Sequence, residues 1–513
     1  MYSKVTSGTA LGIEGKIISV EVDISAGLPG ISMVGNLAPS VREAGDRVRT
    51  ALKNINVCLP PRKVTVNLSP GDLRKTGTGF DLPIAAAILL SLSDKSRDSE
   101  LDSFLQSSLI LGELALDGSV LPVSGVLPTI DHAHKMGIDR FIIPYGNLRE
   151  ASFIKDINIH PIRHLSQLYS MLEDGVIPDC ERYDDSETDH EISGSYDLAD
   201  VKGQETMKRG VIIAVAGFHN ILLTGAAGSG KSMISKCIPG IMPEPTYEEM
   251  LELTKIYSIS GKLLNDDGFI KSRPFRSPHS SVTDIAMLGG GMNVMPGEVS
   301  LATSGVLFLD EFPEFRRNVI DALRQPMEDK VINVSRVKAS YTYPANFMLV
   351  AARNNCPCGF YPDRKRCRCT DTDRINYGNK ISYPIMDRID IRLDVRQVSY
   401  LDLKDDDTGM SSAEARDIVK KAREIQADRY RNETFNYNSE IPQNRIDDYI
   451  RLDARGEEHL RKAFEDSIIS ARGYTRILKL ARTIGDINGH PDVTSDDIEE
   501  ALFFRNEIGG DAI

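Results

Sequence analysis

The stretch GAAGSGKSMIS, Gly225 to Ser235, decides the fold and comes directly after the apolar run HNILLT. The pattern G-x-x-x-x-G-K-[ST] from Gly225 to Ser232 predicts a phosphate loop between a strand and a helix. Backbone N–H groups of such a loop curl around phosphate oxygens, and the helix N-terminus adds positive potential. A chance glycine-rich turn is the alternative, but the strand and helix around it favour nucleotide binding. The expected binding residues are Gly225, Ala226, Ala227, Gly228, Ser229, Gly230, Lys231 and Ser232.

The residue types in and after this loop predict the chemistry of ATP. Lys231 is expected to reach the β- and γ-phosphates, and Ser232 to bind Mg²⁺. The segment GVLFLDE, residues 305–311, is a buried strand followed by two carboxylates. We expect Asp310 to hold the Mg²⁺ shell and Glu311 to polarise the attacking water, although an Asp-Glu pair after a strand can also form a simple turn.

Three polar residues farther along are candidates for the same reaction. Asn354 ends the strand-like run NFMLVAARNN and is expected to position the water near the γ-phosphate, unless it only forms a turn. Arg388 precedes the strand IDIRLDV and is expected to act on the nucleotide of a neighbouring chain, with a surface ion pair as the alternative. Arg476 lies on a C-terminal helix that can fold back over the nucleotide or be merely solvated. Contacts between chains imply a ring, because a head-to-tail interface either closes or runs on as a filament.

Four of the seven cysteines lie within CPCGFYPDRKRCRC, residues 356–369. Their spacing C-x-C-x₈-C-x-C can hold Zn²⁺ tetrahedrally, and disulfide pairing is the main rival. The same insert is rich in basic residues, which can touch nucleic acid or belong to a solvated loop. The candidate ligands are Cys356, Cys358, Cys367 and Cys369, and the basic residues are Arg364, Lys365, Arg366 and Arg368.

Charge and hydropathy restrict the location of the chain and the partners it can take. The net charge is −13, and residues 173–191 alone hold nine carboxylates against one arginine. The remainder is nearly balanced, so a local basic surface is compatible with the composition. No apolar run approaches the roughly 18 residues of a membrane helix, and the N-terminus lacks the apolar core of a signal peptide. We expect a cytoplasmic protein with thiols or a metal site instead of a disulfide framework.

Changes in residue pattern predict three domains and one linker. Residues 1–172 mix strand and helix patterns, as an α+β domain does. The acidic segment 173–197 has few bulky apolar residues and is typical of a linker. Residues 198–400 alternate strands and helices, which predicts a parallel α/β core that carries the cysteine insert. Residues 401–513 are charged and helical.

Together these segments resemble an AAA+ ATPase of the magnesium-chelatase-like group, and in particular the bacterial YifB/ComM family. The central segments that carry the resemblance are RPFRSPHSSVTDIAMLGGG, PGEVSLATSGVLFLDEFPEF, CPCG and MDRID. The N-terminal ones are VGNLAPSVREAGDRVRTAL, NLSPGDLRKTGTGFDLPIAAAIL and GELALDGSVLPVSGVLP. The resemblance spans nearly the whole chain and departs at PHSS, where a second histidine is expected after His279. It implies a Lon-protease-like N-terminal domain, an AAA+ core and a C-terminal helical lid.

The resemblance also implies a function: a hexameric, ATP-driven ring that acts on branched DNA as a helicase or branch-migration factor. Recombination or natural transformation is the implied setting, with recombination proteins as further partners. Two segments are candidates to line the pore, or else are a surface hairpin and a turn: VINVSRVKASYTYPANF, with Arg336 and Lys338, and MLGGGMNVMPG, residues 287–297. A different interpretation is a chelatase-like ATPase that remodels a protein partner without touching DNA.

The Lon-like domain is not expected to be a peptidase. A Lon-type dyad needs a serine nucleophile and a lysine base. When TGTGFDLPIAAAIL and LPVSGVLPTI are laid on the two Lon segments, Asp81 stands at the serine and Leu127 at the lysine. Neither residue can perform the missing role, so we expect a scaffold or a DNA-guiding collar.

Overall fold

Two β-sheets and a group of C-terminal helices organise the described part of the chain. The computed structural model describes residues 1–93, 100–175, 177, 179–183, 196–263, 268–291, 294–336, 339–397, 409–465 and 470–505. Most of the predicted acidic linker therefore lies outside the described residues. One described part of it returns along the N-terminal region, where the N–H of Glu181 donates to the carbonyl of Ile159 over 3.0 Å.

The N-terminal region is built on one mixed sheet. Its strands are β1 (Tyr2–Leu11), β2 (Glu14–Ser25), β3 (Gly30–Val34), β4 (Lys63–Ser69), β5 (Ser108–Ile110), β6 (Glu113–Leu114), β7 (Val120–Leu121), β8 (Arg140–Pro144) and β9 (Asn158–Ile162). Seven of them pair in the order β3-β4-β2-β1-β5-β8-β9, and β6 pairs with β7. On β4 the alternate residues Val64, Val66 and Leu68 are buried, as the pattern KVTVNLS predicts for a strand with one face on the core.

Helices cover this sheet, and one of them is buried on nearly all sides. They are α1 (Pro39–Arg42), α2 (Ala44–Asn54), α3 (Asp81–Leu92), α4 (Glu100–Ser107), α5 (Val126–Lys135), α6 (Leu148–Ala151) and α7 (Leu165–Asp174). The α3 sequence DLPIAAAILLSL is apolar all round, so it packs against β1 and β2 and against α2 and α7.

The first residue of α3 is Asp81, the residue that the sequence comparison above laid on the Lon serine. Asp81 is fully buried and accepts hydrogen bonds from Nε and Nη2 of Arg47 over 2.7 and 2.8 Å and from the N–H of Leu114 over 3.2 Å. Burial raises the pKa of Asp81, and the Arg47 guanidinium opposes that shift. Leu127 is also fully buried, on α5. The two residues expected at the dyad positions are thus an ion-paired carboxylate and a core leucine.

The second sheet is parallel throughout. The strands of the central region are β10 (Ile221–Gly225), β11 (Phe275–Arg276), β12 (Gly289–Gly290), β13 (Met295–Pro296), β14 (Val306–Leu309), β15 (Val331–Arg336), β16 (Ala339–Pro344), β17 (Met348–Arg353) and β18 (Ile391–Val395). Five pair in the order β11-β14-β17-β10-β18, and β12–β13 and β15–β16 are hairpins. Every residue of β14 is buried, because helices cover both faces of such a sheet.

The remaining helices flank this sheet and continue to the C-terminal region. Those of the central region are α8 (Glu205–Gly217), α9 (Lys231–Ile241), α10 (Tyr247–Ile259), α11 (Asp284–Leu288), α12 (Glu298–Leu301), α13 (Arg317–Ala322), α14 (Arg324–Asp329), α15 (Asp371–Gly378) and α16 (Tyr383–Asp387). The C-terminal ones are α17 (Ser412–Arg429), α18 (Ile446–Tyr449), α19 (Ala454–Glu465), α20 (Ala471–Asn488) and α21 (Ser495–Arg505). Short 3₁₀ turns span Tyr145–Asn147, Leu198–Asp200, Phe312–Glu314, Asn438–Glu440 and Gln443–Arg445.

A buried carboxylate ties the C-terminal helices together. Asp486, on α20, accepts hydrogen bonds from Arg429 of α17 over 2.9 Å and from Asn438 over 2.8 Å. Arg482, one turn earlier on α20, donates to it over 3.1 Å. A buried charge needs such partners, so this network fixes α20 against α17, which in turn packs on α8 and α9.

The N-terminal region packs on α10 of the central region. The rings of Phe153 and Tyr247 stack with their centroids 4.9 Å apart. Beside them, Nζ of Lys255 lies 2.6 Å from Oδ2 of Asp131 on α5. Within the described ranges, none of the helices is both long and apolar enough to cross a membrane.

Glu150, on α6, is a buried acid in this structure. Its Oε1 accepts a hydrogen bond from Nδ2 of Asn147 over 2.6 Å, and 5 % of the residue is exposed. Burial raises the pKa of Glu150 to about 7. The folded chain therefore keeps this proton at pH values where the unfolded chain has lost it.

We expect Glu150 to reduce the free energy of unfolding as pH rises from about 4.5 to about 7, because only the unfolded state ionises freely there. Glu150→Gln keeps an acceptor for Asn147 and has no acid to ionise. It therefore removes the loss of unfolding free energy that Glu150 causes, which is about 3 kcal/mol above pH 7. Thermal unfolding at pH 5 and pH 8 tests this. The Tm of Glu150→Gln should exceed that of the unmodified chain at pH 8 only. Glu181→Gln, at an exposed position, should have the Tm of the unmodified chain at both pH values. Equal effects at both pH values would contradict the expectation.

Candidate nucleotide site

The second sheet brings the predicted residues together at one edge. β10 lies between β17 and β18, and β14 lies on the far side of β17. In the parallel register Thr224 is opposite Arg353, and Leu309 is opposite Ala351. The groups that follow β10, β14 and β17 therefore meet at the carboxyl ends of the strands, which is where open α/β sheets bind ligands.

The two residues predicted to bind Mg²⁺ are in direct contact. Ser232, on the first turn of α9, donates a hydrogen bond from Oγ to Oδ2 of Asp310 over 2.7 Å, across a separation of 78 residues. Mg²⁺ takes oxygen ligands in an octahedron at about 2.0–2.1 Å, usually with one or two from protein. A hydroxyl and a carboxylate held this close fit two positions of one such shell.

Lys231 joins the phosphate loop to the end of β17. Its Nζ donates to the carbonyls of Gly225 and Ala226 over 2.7 and 2.8 Å and to Oδ1 of Asn354 over 3.2 Å. Only 7 % of the residue is exposed, and burial lowers the pKa of Lys231 against the opposing charge of Asp310. The ammonium group and the Asn354 amide, two predicted phosphate-site groups, thus share one hydrogen bond.

Backbone geometry explains the glycines of the loop. Gly228 and Gly230 have φ values of 77° and 95°, in the left-handed region that glycine favours. A Cβ at either position would meet no atom within 4 Å, so the requirement is conformational and not one of space. α9 begins immediately afterwards at Lys231, and its first N–H groups have no acceptor within the helix. The loop therefore presents the positive end of α9 to the strand edge.

Glu311 follows Asp310 in a strained turn. Its φ of 50° and ψ of 44° are left-handed, and its N–H donates to Oδ1 of Asp310 over 2.9 Å. Non-glycine residues seldom adopt this conformation, which is often retained where it positions a functional group. The turn leaves the Glu311 side chain exposed at the same edge as the phosphate loop.

Arg476 lies at the opposite edge of the sheet. Its Nη1 donates to Oδ1 of Asp390 over 2.5 Å, and Asp390 immediately precedes β18. In the register, Ile391 of β18 is opposite Ile221, the first residue of β10. A strand of this length spans about 16 Å. In this structure, Asp390 therefore holds Arg476 at the end of β10 opposite the phosphate loop, and not over the loop of the same chain.

Arg388 occupies the same edge as Arg476 and is held within its own chain. Its Nη2 lies 2.6 Å from Oε1 of Glu328 on α14, and its Nη1 donates to the carbonyl of Pro384 over 2.7 Å. Only 8 % of the residue is exposed, whereas the Glu328 side chain is 46 % exposed. Action on a neighbouring nucleotide would require Arg388 to exchange Glu328 for a phosphate.

Sequence reasoning missed two further cations at this edge. Arg505 donates from Nη1 to the carbonyl of Ile389 over 3.0 Å. Burial lowers the pKa of Lys479 to about 8, although the charge of Asp390 opposes this shift. No motif marks Lys479 or Arg505 in the sequence. Only the packing of the C-terminal helices brings them together.

The four cysteines of the insert converge. Their Sγ atoms all lie within 4.8 Å of one another, and the cysteines are free thiols. The rival disulfide pairing needs an S–S distance of about 2.05 Å. The insert also touches the phosphate loop, since the N–H of Ala227 donates to the carbonyl of Gly359 over 2.8 Å. No signal in the sequence indicates this contact other than the nearness of the insert to Asn354.

Family models match three parts of the chain. The models match as "Magnesium chelatase, subunit ChlI" over residues 197–403, "Subunit ChlI of Mg-chelatase" over 20–147 and "Magnesium chelatase, subunit ChlI C-terminal" over 409–505. The chain is 38 % identical over 504 residues to competence protein ComM of Haemophilus influenzae, covering 98 % of this chain and 97 % of ComM. The chain belongs to the YifB/ComM family of magnesium-chelatase-like proteins. Within that family, the uncharacterized protein YifB of Escherichia coli is 39 % identical over 507 residues, with 98 % and 97 % coverage.

A more distant similarity concerns part of the chain. A Lon protease of Desulfovibrio desulfuricans is 23 % identical over an alignment of 189 residues that covers 34 % of this chain and 21 % of that protease. Family membership supports a magnesium-chelatase-like AAA+ ATPase that uses ATP and Mg²⁺ and assembles into an oligomer. The expected fold, with a Lon-like region, a parallel AAA+ core and C-terminal helices, is confirmed.

Lys231→Ala should weaken nucleotide binding about 100-fold, because it removes a charged contact worth about 3 kcal/mol to a phosphate. Titration of a fluorescent ATP analogue in Mg²⁺ measures the effect. Lys236→Ala, an exposed lysine on the same helix, is the matched control and should bind like the unmodified chain. If Lys231→Ala bound nucleotide with wild-type affinity, the phosphate loop would not be the nucleotide-binding element.

Proposed function

We propose that the chain is a ring-forming AAA+ motor that hydrolyses ATP and acts on DNA as a helicase or branch-migration factor. The observation that carries the ATPase part is the contact of Ser232 with Asp310 beside the contact of Lys231 with Asn354. Lys231 grips the β- and γ-phosphates, Ser232 and Asp310 bind Mg²⁺, and Asn354 positions the water.

Glu311 is the proposed base in this mechanism. It polarises the attacking water as a proton acceptor at the exposed end of β14, next to the Mg²⁺ ligand Asp310. The phosphate loop and the N-terminus of α9 stabilise the charge that develops on the phosphate oxygens.

The position of the two arginines supports assembly. Arg388 and Arg476 lie at the edge opposite the phosphate loop, so neither reaches the nucleotide of its own chain. A head-to-tail contact would bring this edge of one chain to the nucleotide of the next, and closure of that contact makes a ring. We propose six chains in the ring, following the family resemblance.

DNA contact is supported by the surface of the cysteine insert and by the similarity to competence protein ComM. Arg364, Lys365, Arg366 and Arg368 are exposed, and Arg366 lies over the ring of Phe360, which is 38 % exposed. Basic groups with an exposed aromatic ring are suited to the phosphates and bases of a single strand.

Further parts of the proposal rest on the resemblance. Lys338 and the side chain of Arg336, in one candidate pore segment, lie outside the described residues, as do residues 292–293 of the other. We propose a cytoplasmic location, recombination proteins as partners, and Zn²⁺ bound by the four cysteines. We propose that the chain has no peptidase activity, because Asp81 is ion-paired with Arg47 and Leu127 is buried in the core.

A protein-remodelling ATPase without DNA contact is the second candidate. It is favoured by the magnesium-chelatase family matches, which extend over the N-terminal, central and C-terminal parts of the chain. On this alternative, the exposed basic insert would bind an acidic protein surface.

The DNA proposal predicts that forked DNA raises the ATPase rate several-fold more than duplex DNA of equal nucleotide content. Because phosphate contacts release counterions, the stimulation should fall steeply with salt. Steady-state phosphate release measures the rate. Glu311→Gln, which should bind ATP without turning it over, corrects for contaminating ATPases, and Glu314→Gln is its matched control. Turnover that no DNA changes would favour the protein-remodelling alternative.

A shared site predicts rescue between two inactive variants. Arg388→Ala keeps its phosphate loop and Lys231→Ala keeps its arginine, so an equal random mixture restores about a quarter of the interfaces. The ATPase rate of the mixture should exceed that of either variant alone. Glu328→Gln, which removes only the partner of Arg388, should remain active. An inactive mixture in which the chains demonstrably co-assemble would contradict action between chains.

A further inference from the structure

The sulfur atoms of the cysteine insert have the spacing of a metal tetrahedron. The Sγ of Cys356 lies 3.3 Å from that of Cys358 and 3.7 Å from that of Cys367, and the Cys358–Cys367 distance is 3.6 Å. Zn–S bonds of about 2.3 Å place tetrahedral sulfurs about 3.8 Å apart. With the Sγ of Cys369 within 4.8 Å of the others, one ion can contact all four.

The chain around these cysteines is built to support a metal centre. Cys356 and Cys367 are buried, and Cys358 and Cys369 are more exposed, so the centre has an inner and an outer pair. The N–H of Tyr361 donates to the Sγ of Cys356 over 3.4 Å, which is the kind of outer contact that orients a thiolate ligand.

The residue after the first ligand pair touches the phosphate loop. Gly359 follows Cys358, and its carbonyl accepts the N–H of Ala227 over 2.8 Å. Its own N–H donates to the carbonyl of Cys356 over 3.0 Å, which links the contact to a ligand residue. Gly359 has a φ of +80°, and a Cβ there would lie 3.1 Å from the Cβ of Ala227. The insert therefore meets the phosphate loop through a close and conformationally specific backbone contact.

We propose that the four cysteines bind one Zn²⁺ and that the loaded centre holds the phosphate loop in its binding conformation through Gly359. The metal fixes Cys356 and Cys358, these fix the Gly359 carbonyl, and that carbonyl fixes Ala227. Loss of the metal frees the loop, so nucleotide affinity falls while the parallel sheet stays folded. The coupling of the metal centre to the phosphate loop rests on the proposed nucleotide site, whereas the binding of zinc does not.

The metal part is tested on the full chain by elemental analysis after purification. The unmodified protein and Cys58→Ser, an exposed cysteine outside the insert, should each hold one zinc ion per chain. Cys358→Ser with Cys369→Ser replaces the two more exposed ligands and should hold none. Zinc in the double variant at the control level, or zinc absent from the unmodified protein, overturns the metal centre. A disulfide detected by mass spectrometry in place of zinc overturns it as well.

The coupling is tested by nucleotide titration, with Mg²⁺ and a fluorescent ATP analogue. Gly359→Ala keeps every ligand but disturbs the contact with Ala227, so it should keep its zinc and bind nucleotide about fivefold more weakly, as expected for one lost hydrogen bond. Gly378→Ala, on α15, is the matched control. A Cβ there would lie 3.8 Å from its nearest neighbour, Nη1 of Arg353, so this variant should bind nucleotide normally. The double cysteine variant should lose at least as much affinity as Gly359→Ala.

The outcomes separate this inference from the proposed function. If Gly359→Ala retains both zinc and full nucleotide affinity, the coupling is overturned and the nucleotide site stands. If the unmodified chain contains zinc but binds no nucleotide, the proposed function and the coupling both fail and the metal centre stands. Gly359→Ala carries all four cysteines, so it still decides the coupling if the double cysteine variant does not fold.

Discussion

The hydrogen bond between Ser232 and Asp310 is the contact on which the rest of the nucleotide site depends. It requires β10 and β14 to be parallel, to end at the same edge and to be separated only by β17. The buried strand sequences ILLTG and VLFL satisfy those conditions, because strands covered on both faces need continuous apolar runs. The polar groups that follow the strands are thereby carried from a dry core to one accessible edge.

Sequence predicted this edge well because strand ends are local features. Lys231, Ser232, Asp310 and Asn354 each follow a short apolar run, and the parallel topology alone brings them together. The helix DLPIAAAILLSL and the strand KVTVNLS were predictable for the same reason, since a continuous apolar run and an alternating pattern are each contained within a dozen residues. The four cysteines were predictable from spacing, although the spacing does not show what they lie against.

The rest could not be predicted because it depends on packing between distant segments. Arg476 was expected over the nucleotide, but its helix carries it to Asp390, which holds it with a charged hydrogen bond. Burial alone would raise the pKa of Asp390, but the neighbouring Arg476 and His219 hold this pKa below its ordinary value. The charge pair holds Arg476 of α20 beside the start of β18, and no local pattern reveals a pairing across 86 residues.

The two edges of the second sheet divide the proposed chemistry between chains. In the proposed site, phosphate, Mg²⁺ and water would bind at the carboxyl ends of the strands, while Arg388 and Arg476 are held at the amino ends by Glu328 and Asp390. About 16 Å of strand separates these groups, too far for an arginine to reach across its own chain. In the proposed ring, a neighbouring phosphate would have to compete with those carboxylates for the guanidinium groups. The exchange would cost least at Arg388, whose partner Glu328 is nearly half exposed, so the proposed ring couples assembly to nucleotide state most directly there.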